Sequence, residues 1–186
     1  MTPPAHFWES LPGFFTFPDF YSWLAEQVGD GAHLVEVGVY GGQSVAYLGV
    51  ELLRRGKARC RIDGVDLFHG GVETVRAGLS PLGELVNELH VSDSAAAASR
   101  YEDGSLDAVF IDADHSYESV ARDIDAWRPK VRLGGILAGH DFTLFDPGII
   151  QAVTERFARW DVWRGRTDLG DEQMRGKAWP VWAVRL

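Results

Sequence analysis

The chain is 186 residues long, 46% hydrophobic, and carries a formal net charge of −9, which suits one domain over 1–186 with an ample core. The acidic balance argues against nucleic acid as a partner, because neutralising phosphates needs a basic face and the arginines here are scattered among acids. No apolar run approaches the roughly 20 residues of a membrane span, no basic-then-apolar leader opens the chain, and Cys60 is the only cysteine, so a reducing cytoplasm without membrane contact is expected and a disulfide framework or cysteine zinc cluster is not.

In chain order, residues 1–30 hold an aromatic stretch, Phe7-Trp-Glu-Ser-Leu-Pro-Gly-Phe-Phe-Thr-Phe17, and a helix from Phe17 to Val28 with Pro18 in its first turn. The aromatic stretch reads either as a lid over a ligand or as packing against the sheet edge or a second subunit. A strand, Leu34 to Val37, precedes a helix from Ser44 to Arg55, and a second strand, Arg61 to Val65, ends at Asp66. The glycine-rich region His69 to Gly83 takes no clear assignment. A third strand, Leu85 to Val91, leads to a short helix at Ala95–Ala98, and a fourth strand, Leu106 to Ile111, leads to a helix from Tyr117 to Trp127 stopped by Pro129. Gly134-Gly135 opens a fifth strand, Ile136 to Ala138; a helix from Gly148 to Trp160 and strands near Trp160–Arg164 and Pro180–Arg185 complete the chain. This alternation predicts an α/β fold with a mainly parallel sheet covered on both faces, and an antiparallel hairpin at one edge.

The most informative segment is His33-Leu-Val-Glu-Val-Gly-Val-Tyr-Gly-Gly-Gln-Ser44. It places a carboxylate, Glu36, and bare backbone amides at the carboxyl end of a parallel strand, where open α/β sheets bind ligands. Gly38, Gly41 and Gly42 let backbone approach a ligand closely. A dinucleotide fingerprint would need glycine where Tyr40 stands, and Glu36 would repel a pyrophosphate. A ligand with hydroxyls and positive charge fits better, and S-adenosylmethionine has both.

Asp66 follows Gly38 by 28 positions, which sets its carboxylate beside the first turn, within reach of ribose hydroxyls. Ser92-Asp93-Ser94 ends the third strand on the same edge; Asp93 can accept from an adenine amine or cap the helix that follows. Asp112 ends the fourth strand, His115 lies three residues on, and His140-Asp141 end the fifth. Because the fourth and fifth strands are neighbours in sheets of this class, Asp112, His140 and Asp141 can converge to metal-ligand distance. Taken singly, each also reads as a helix cap or a hydrogen-bonded core histidine.

The segments Phe110-Ile-Asp-Ala-Asp-His-Ser-Tyr-Glu118 and Gly134-Gly-Ile-Leu-Ala-Gly-His-Asp141 resemble those of a small bacterial group of class I S-adenosylmethionine-dependent methyltransferases. The resemblance runs from about Phe14 to Trp160. It implies a Rossmann-like seven-stranded sheet of order 3-2-1-4-5-7-6 with strand seven antiparallel. It also implies Glu36, Gly38, Tyr40, Gly42 and Ser44 around the methionine part, Asp66 on the ribose, Ser92 and Asp93 near the adenine, and Asp112 beside the cofactor. The chain is similar as well to metal-dependent O-methyltransferases acting on catechols and caffeoyl esters. That similarity implies Asp112, His140 and Asp141 as metal ligands, and His115, at the position of their catalytic lysine, as general base or fourth ligand, with Asp114 able to stand in for either role. An imidazole in the set favours manganese, iron, zinc or nickel over magnesium.

The expected function is methyl transfer to a hydroxyl of a small molecule, within a monomer having an open acceptor site or a homo-oligomer that completes it. The rivals are a nicotinamide-dependent Rossmann oxidoreductase, which Tyr40 disfavours, and a non-catalytic cofactor-binding protein, which the intact acids Glu36, Asp66 and Asp112 disfavour.

Overall fold

The computed structural model describes residues 4–169 and 179–186. Among them run α1 (Pro18–Gln27), β1 (His33–Val37), α2 (Gln43–Arg54), β2 (Arg61–Asp66), α3 (Val72–Leu79), β3 (Val86–Val91), α4 (Ser94–Ala98), β4 (Leu106–Ile111), α5 (Tyr117–Trp127), β5 (Val131–Gly139), α6 (Pro147–Arg156), β6 (Asp161–Trp163) and β7 (Val181–Arg185). No helix of the described residues is long and apolar enough to cross a membrane.

The strands form one seven-stranded sheet of order β3-β2-β1-β4-β5-β7-β6. Pairing is parallel from β3 through β5, while β7 runs antiparallel to both β5 and β6. The apolar runs of β1 and β4 follow from burial on both faces. Alternation along β1 sends Leu34 and Glu36 to the face covered by α1, α2 and α3, and Val35 and Val37 to the face covered by α4, α5 and α6. On that second face α5 buries Val120, Ile124 and Trp127. The Trp127 indole also donates to Ser94 Oγ at 3.0 Å, which ties α5 to α4.

Two elements differ from expectation. His69 to Gly83 contains a helix, α3, of which only Val75 and Leu79 are buried; two apolar contacts four residues apart among glycines give too little periodicity to read. The fifth strand begins at Val131 rather than Ile136. Its double glycine sits inside the strand at a register shift, where Leu106 pairs with Val131 but Ala108 pairs with Ile136. Gly134 has φ +76° there, so the glycines absorb a bulge rather than a turn.

At the carboxyl edge, backbone meets backbone with no room for a side chain at Gly38. Gly38 donates its N–H to Val65 O at 2.8 Å and Asp112 donates to Val37 O at 2.7 Å, extending the three central strands past their last pairs. Gly38 has φ +90°, and a Cβ there would stand 1.8 Å from the Asp112 carbonyl oxygen. Gly31 has φ +97° with open space around it. Gly31→Ala should therefore cost about 1–2 kcal/mol, the strain of the left-handed conformation alone. Gly38→Ala should cost about 4 kcal/mol or more, or prevent folding. Urea denaturation of both variants checks this, and equal losses would remove the steric reading.

Candidate active site

The carboxyl ends of β1, β2, β4 and β5 open into two adjoining cavities that share Gly38, Tyr40, Asp112 and Ala113. Beneath this junction lies Glu36, 2% exposed. Tyr21 Oη donates to its Oε2 at 2.6 Å, and Ser44 Oγ donates to its Oε1. Burial outweighs these two donors and pushes the carboxyl up to about 8. The Tyr21 hydroxyl is held well above its ordinary range, chiefly by burial and then by Glu36. Ser44 was expected at this position. Tyr21 was not, because in the sequence it is one more aromatic in an apolar helix.

The second cavity, about 450 Å³, is walled by Tyr40, Asp66, Leu67, Ser92, Asp93 and Arg122 among others. Asp66 accepts from the backbone N–H of Tyr40 at 2.8 Å and of Phe68 at 2.7 Å. It thereby fixes both strand-end loops, in which Tyr40 and Phe68 hold positive φ of 50° and 48°. Non-glycine residues in this region concentrate at binding sites. Asp93 lines the same wall and also caps α4 through Ala96 N (3.2 Å) while pairing with Arg122 (3.0 Å). Both readings of Asp93 thus meet at one position.

The first cavity, about 420 Å³, holds Asp112, His115, His140 and Asp141 on one side and Gly13, Phe14, Phe15 and Phe17 on the other. The acids and histidines are in mutual contact. His140 Nδ1 lies 3.1 Å from Asp141 Oδ1 and 3.5 Å from Asp112 Oδ1. His115 Nε2 lies 3.1 Å from Asp141 Oδ2, and His115 Nδ1 lies 3.2 Å from Asp146 Oδ1. Asp141 turns the chain with φ +55°.

Asp112, His140 and Asp141 come together and His115 joins them, but the two histidines have different surroundings. His140 continues the alternation of β5, its N–H still bonded to Ile111 O, so its ring enters the α1 face. There it is 4% exposed, packs 4.5 Å from the Phe17 ring and meets Thr16 Oγ1 at 3.2 Å through Nε2. Burial pushes this imidazole down, but Asp112 and Asp141 outweigh it and hold it up at about 10. A cationic ring with a partner on each nitrogen supports the acids from below. The set whose ligand atoms all lie within 4.8 Å of one another is Asp112, His115 and Asp141. Two carboxylates and an imidazole are a donor set that manganese, iron or zinc accepts. Asp114, the stand-in base, is held below the usual carboxylate range by the Ser116 hydroxyl and N–H, which suits an acceptor of hydrogen bonds more than a base.

The aromatic N-terminal stretch both packs and lines. Phe15 and Phe17 are buried, and Gln43 accepts from Phe15 N at 3.1 Å and donates to Leu11 O at 3.2 Å. Exposed Phe14 leans on exposed Tyr40 across the cavity mouth, with ring centroids 5.6 Å apart. Residues 1–3 of the stretch 1–30 lie outside the described residues.

Among solved structures, the chain is similar to a SAM-dependent O-methyltransferase from Thermotoga maritima, at 18% identity over 94% of this chain and 68% of that one, with a TM-score of 0.67. An O-methyltransferase from Bacillus cereus in complex with SAH matches at 18% identity, 96% and 86% coverage and a TM-score of 0.65. An rRNA methylase from Streptococcus thermophilus matches at 16% identity, 90% and 95% coverage and a TM-score of 0.65. No curated protein matches significantly in sequence. The sheet order and these likenesses define the fold of the class I S-adenosylmethionine-dependent methyltransferases. A methyltransferase-domain family profile covers residues 35–142, more than half of the chain, and the chain belongs to that family.

Glu36 and His140 set a pH dependence of stability. Both are raised in the fold, from ordinary values of 4.5 and 6.5, so each contributes fully below its ordinary value and loses that contribution as pH rises through its folded one. Wild type should lose stability from Glu36 between about pH 4.5 and 8, and Glu36→Gln should lose less. Urea midpoints at pH 5 and pH 8 read the difference; equal slopes in both proteins would remove Glu36 as the titrating group.

Proposed function

We propose that this methyltransferase acts on a hydroxyl of a small molecule, with the cofactor lying across both cavities and a divalent metal held by Asp112, His115 and Asp141. The observation that carries this reading is the convergence of those three side chains in the first cavity, beside the second through Asp112, which lines both. S-adenosylmethionine supplies the electrophilic methyl group on a sulfonium, and a divalent metal would supply Lewis acidity toward the acceptor oxygen.

The chain's own residues do the rest. Asp66, already fixed by two backbone donors, has lone pairs left for ribose hydroxyls in the second cavity. Ser92, Asp93 and Arg122 wall the adenine end. Gly38, which lines both cavities, lets the loop approach the methionine part, while Glu36 beneath Ser44 answers its ammonium; Gly42 lines neither cavity and packs against Val75 and Leu79 of α3. Phe14, Phe15 and Phe17 exclude water from the transfer and offer an apolar wall to the acceptor. Three carboxylates, of Asp112, Asp141 and Asp146, face the His140 imidazolium and His115, a balance that favours an added cation. The net charge of −9 supports a small acceptor over the RNA that the Streptococcus thermophilus protein's name denotes.

A second reading follows from the position of His115, whose side chain is 43% exposed with Nε2 3.1 Å from Asp141. In that reading no metal takes part, and His115 Nε2 receives the hydroxyl proton directly.

Calorimetry with S-adenosylhomocysteine should show binding to wild type and a roughly 10–100-fold loss in Asp66→Ala, the size of one or two hydrogen bonds to a charged group. An unchanged affinity would remove Asp66 from the cofactor site. Elemental analysis separates the two roles of His115. Under the metal reading wild type carries near-stoichiometric metal that Asp112→Ala and His115→Ala both lose. Under the direct-base reading the protein carries none, and His115→Ala lowers turnover by about 10²–10⁴-fold.

A further inference from the structure

Asp146 enters the reading above only as a charge, yet it sits behind His115. It occupies the N-cap position of α6, where its side chain makes no capping hydrogen bond. Its backbone N–H donates to Thr143 O at 3.0 Å, which sets the turn that aims its carboxylate at the imidazole. We propose that Asp146 is a positioning residue that accepts the Nδ1 proton of His115, and so leaves the Nε2 lone pair directed into the first cavity.

Both nitrogens of His115 face a carboxylate, but not equivalently. Nδ1 and Asp146 Oδ1, 3.2 Å apart, have the alignment of a hydrogen bond, whereas Nε2 and Asp141 Oδ2, 3.1 Å apart, are close without that alignment. A neutral imidazole carries a single N–H, and the hydrogen bond made by one nitrogen decides what the other offers. The pair with hydrogen-bond geometry is Nδ1 and Asp146, so the proton belongs at Nδ1. A lone pair on Nε2 beside Asp112 and Asp141 is what a metal ligand or a general base at this position requires. The inference therefore rests on the reading that His115 acts through Nε2, and it holds under either of its two roles.

The test compares wild type, Asp146→Ala and Asp146→Asn by ¹⁵N-detected NMR of the histidine rings, at a pH where His115 is neutral, with Zn²⁺ titrations by calorimetry beside it. Wild type should show His115 as the Nδ1–H tautomer. Asp146→Ala should move it toward Nε2–H, and Asp146→Asn, whose carbonyl still accepts, should restore Nδ1–H. Zn²⁺ affinity should fall about 10–100-fold in Asp146→Ala and recover in Asp146→Asn. An Nε2–H tautomer in wild type, or an Asp146→Ala spectrum unchanged from it, overturns the proposal. If the tautomers behave as expected while wild type takes up no Zn²⁺, the positioning role stands and the metal reading falls.

Discussion

The carboxyl edge of this sheet depends on backbone meeting backbone at Gly38. With no side chain, Gly38 lies against the Asp112 carbonyl, where even a methyl group would overlap it. That clearance lets β1 and β4 stay paired to their last residues and places the acids they carry at one level. It also merges the two cavities, since Gly38 and Asp112 line both. The requirement is steric first, and the chemistry is assembled on top of it.

Electrostatics then explain why the crevice calls for a cation. Glu36, Asp66, Asp112 and Asp141 surround it, and the buried group that opposes them is His140. Like charges packed this closely interact by several kcal/mol at the effective dielectric of a protein surface. Burial holds Glu36 up near 8, while Asp112 and Asp141 hold His140 up near 10 against its burial. Among the described residues, the non-glycine residues with positive φ are Tyr40, Phe68 and Asp141, all in loops that follow strands of this edge, and the strain they hold is offset by the core beneath.

Much of this was legible in the residues. The fourth strand and the helix after it read with their observed bounds, because an unbroken apolar run and a 3.6-residue pattern closed by proline leave little competition. The sheet order followed from the resemblance, and the acids at the strand ends followed from their positions one step past apolar runs. What failed was local. α3 shows only two buried side chains, and the glycines of β5 signal a turn when they serve a bulge. The different surroundings of the two histidines have a cause no spacing reveals. Strand alternation carries His140 into the aromatic layer under the sheet, whereas His115, in a free loop, can swing over Asp141. Tyr21 escaped notice because an aromatic in an amphipathic helix is core by default, and only its contact with Glu36 gives it a polar duty.

That contact shows what the N-terminal segment is for. Leu11 and Phe15 are tied to Gln43 at the start of α2, Thr16 meets His140, and Tyr21 meets Glu36. One stretch of chain therefore walls the first cavity and also supplies the partners that keep two buried titratable groups dry and oriented. The lid and packing readings of the aromatic stretch are not alternatives. Phe15 and Phe17 anchor it in the core, and that anchorage is what holds Phe14 opposite Tyr40 at the mouth. Loosening the segment would admit water to Glu36 and His140 as well as to the acceptor, so the affinity for a cation and the shape of the acceptor cavity are coupled through the same few contacts.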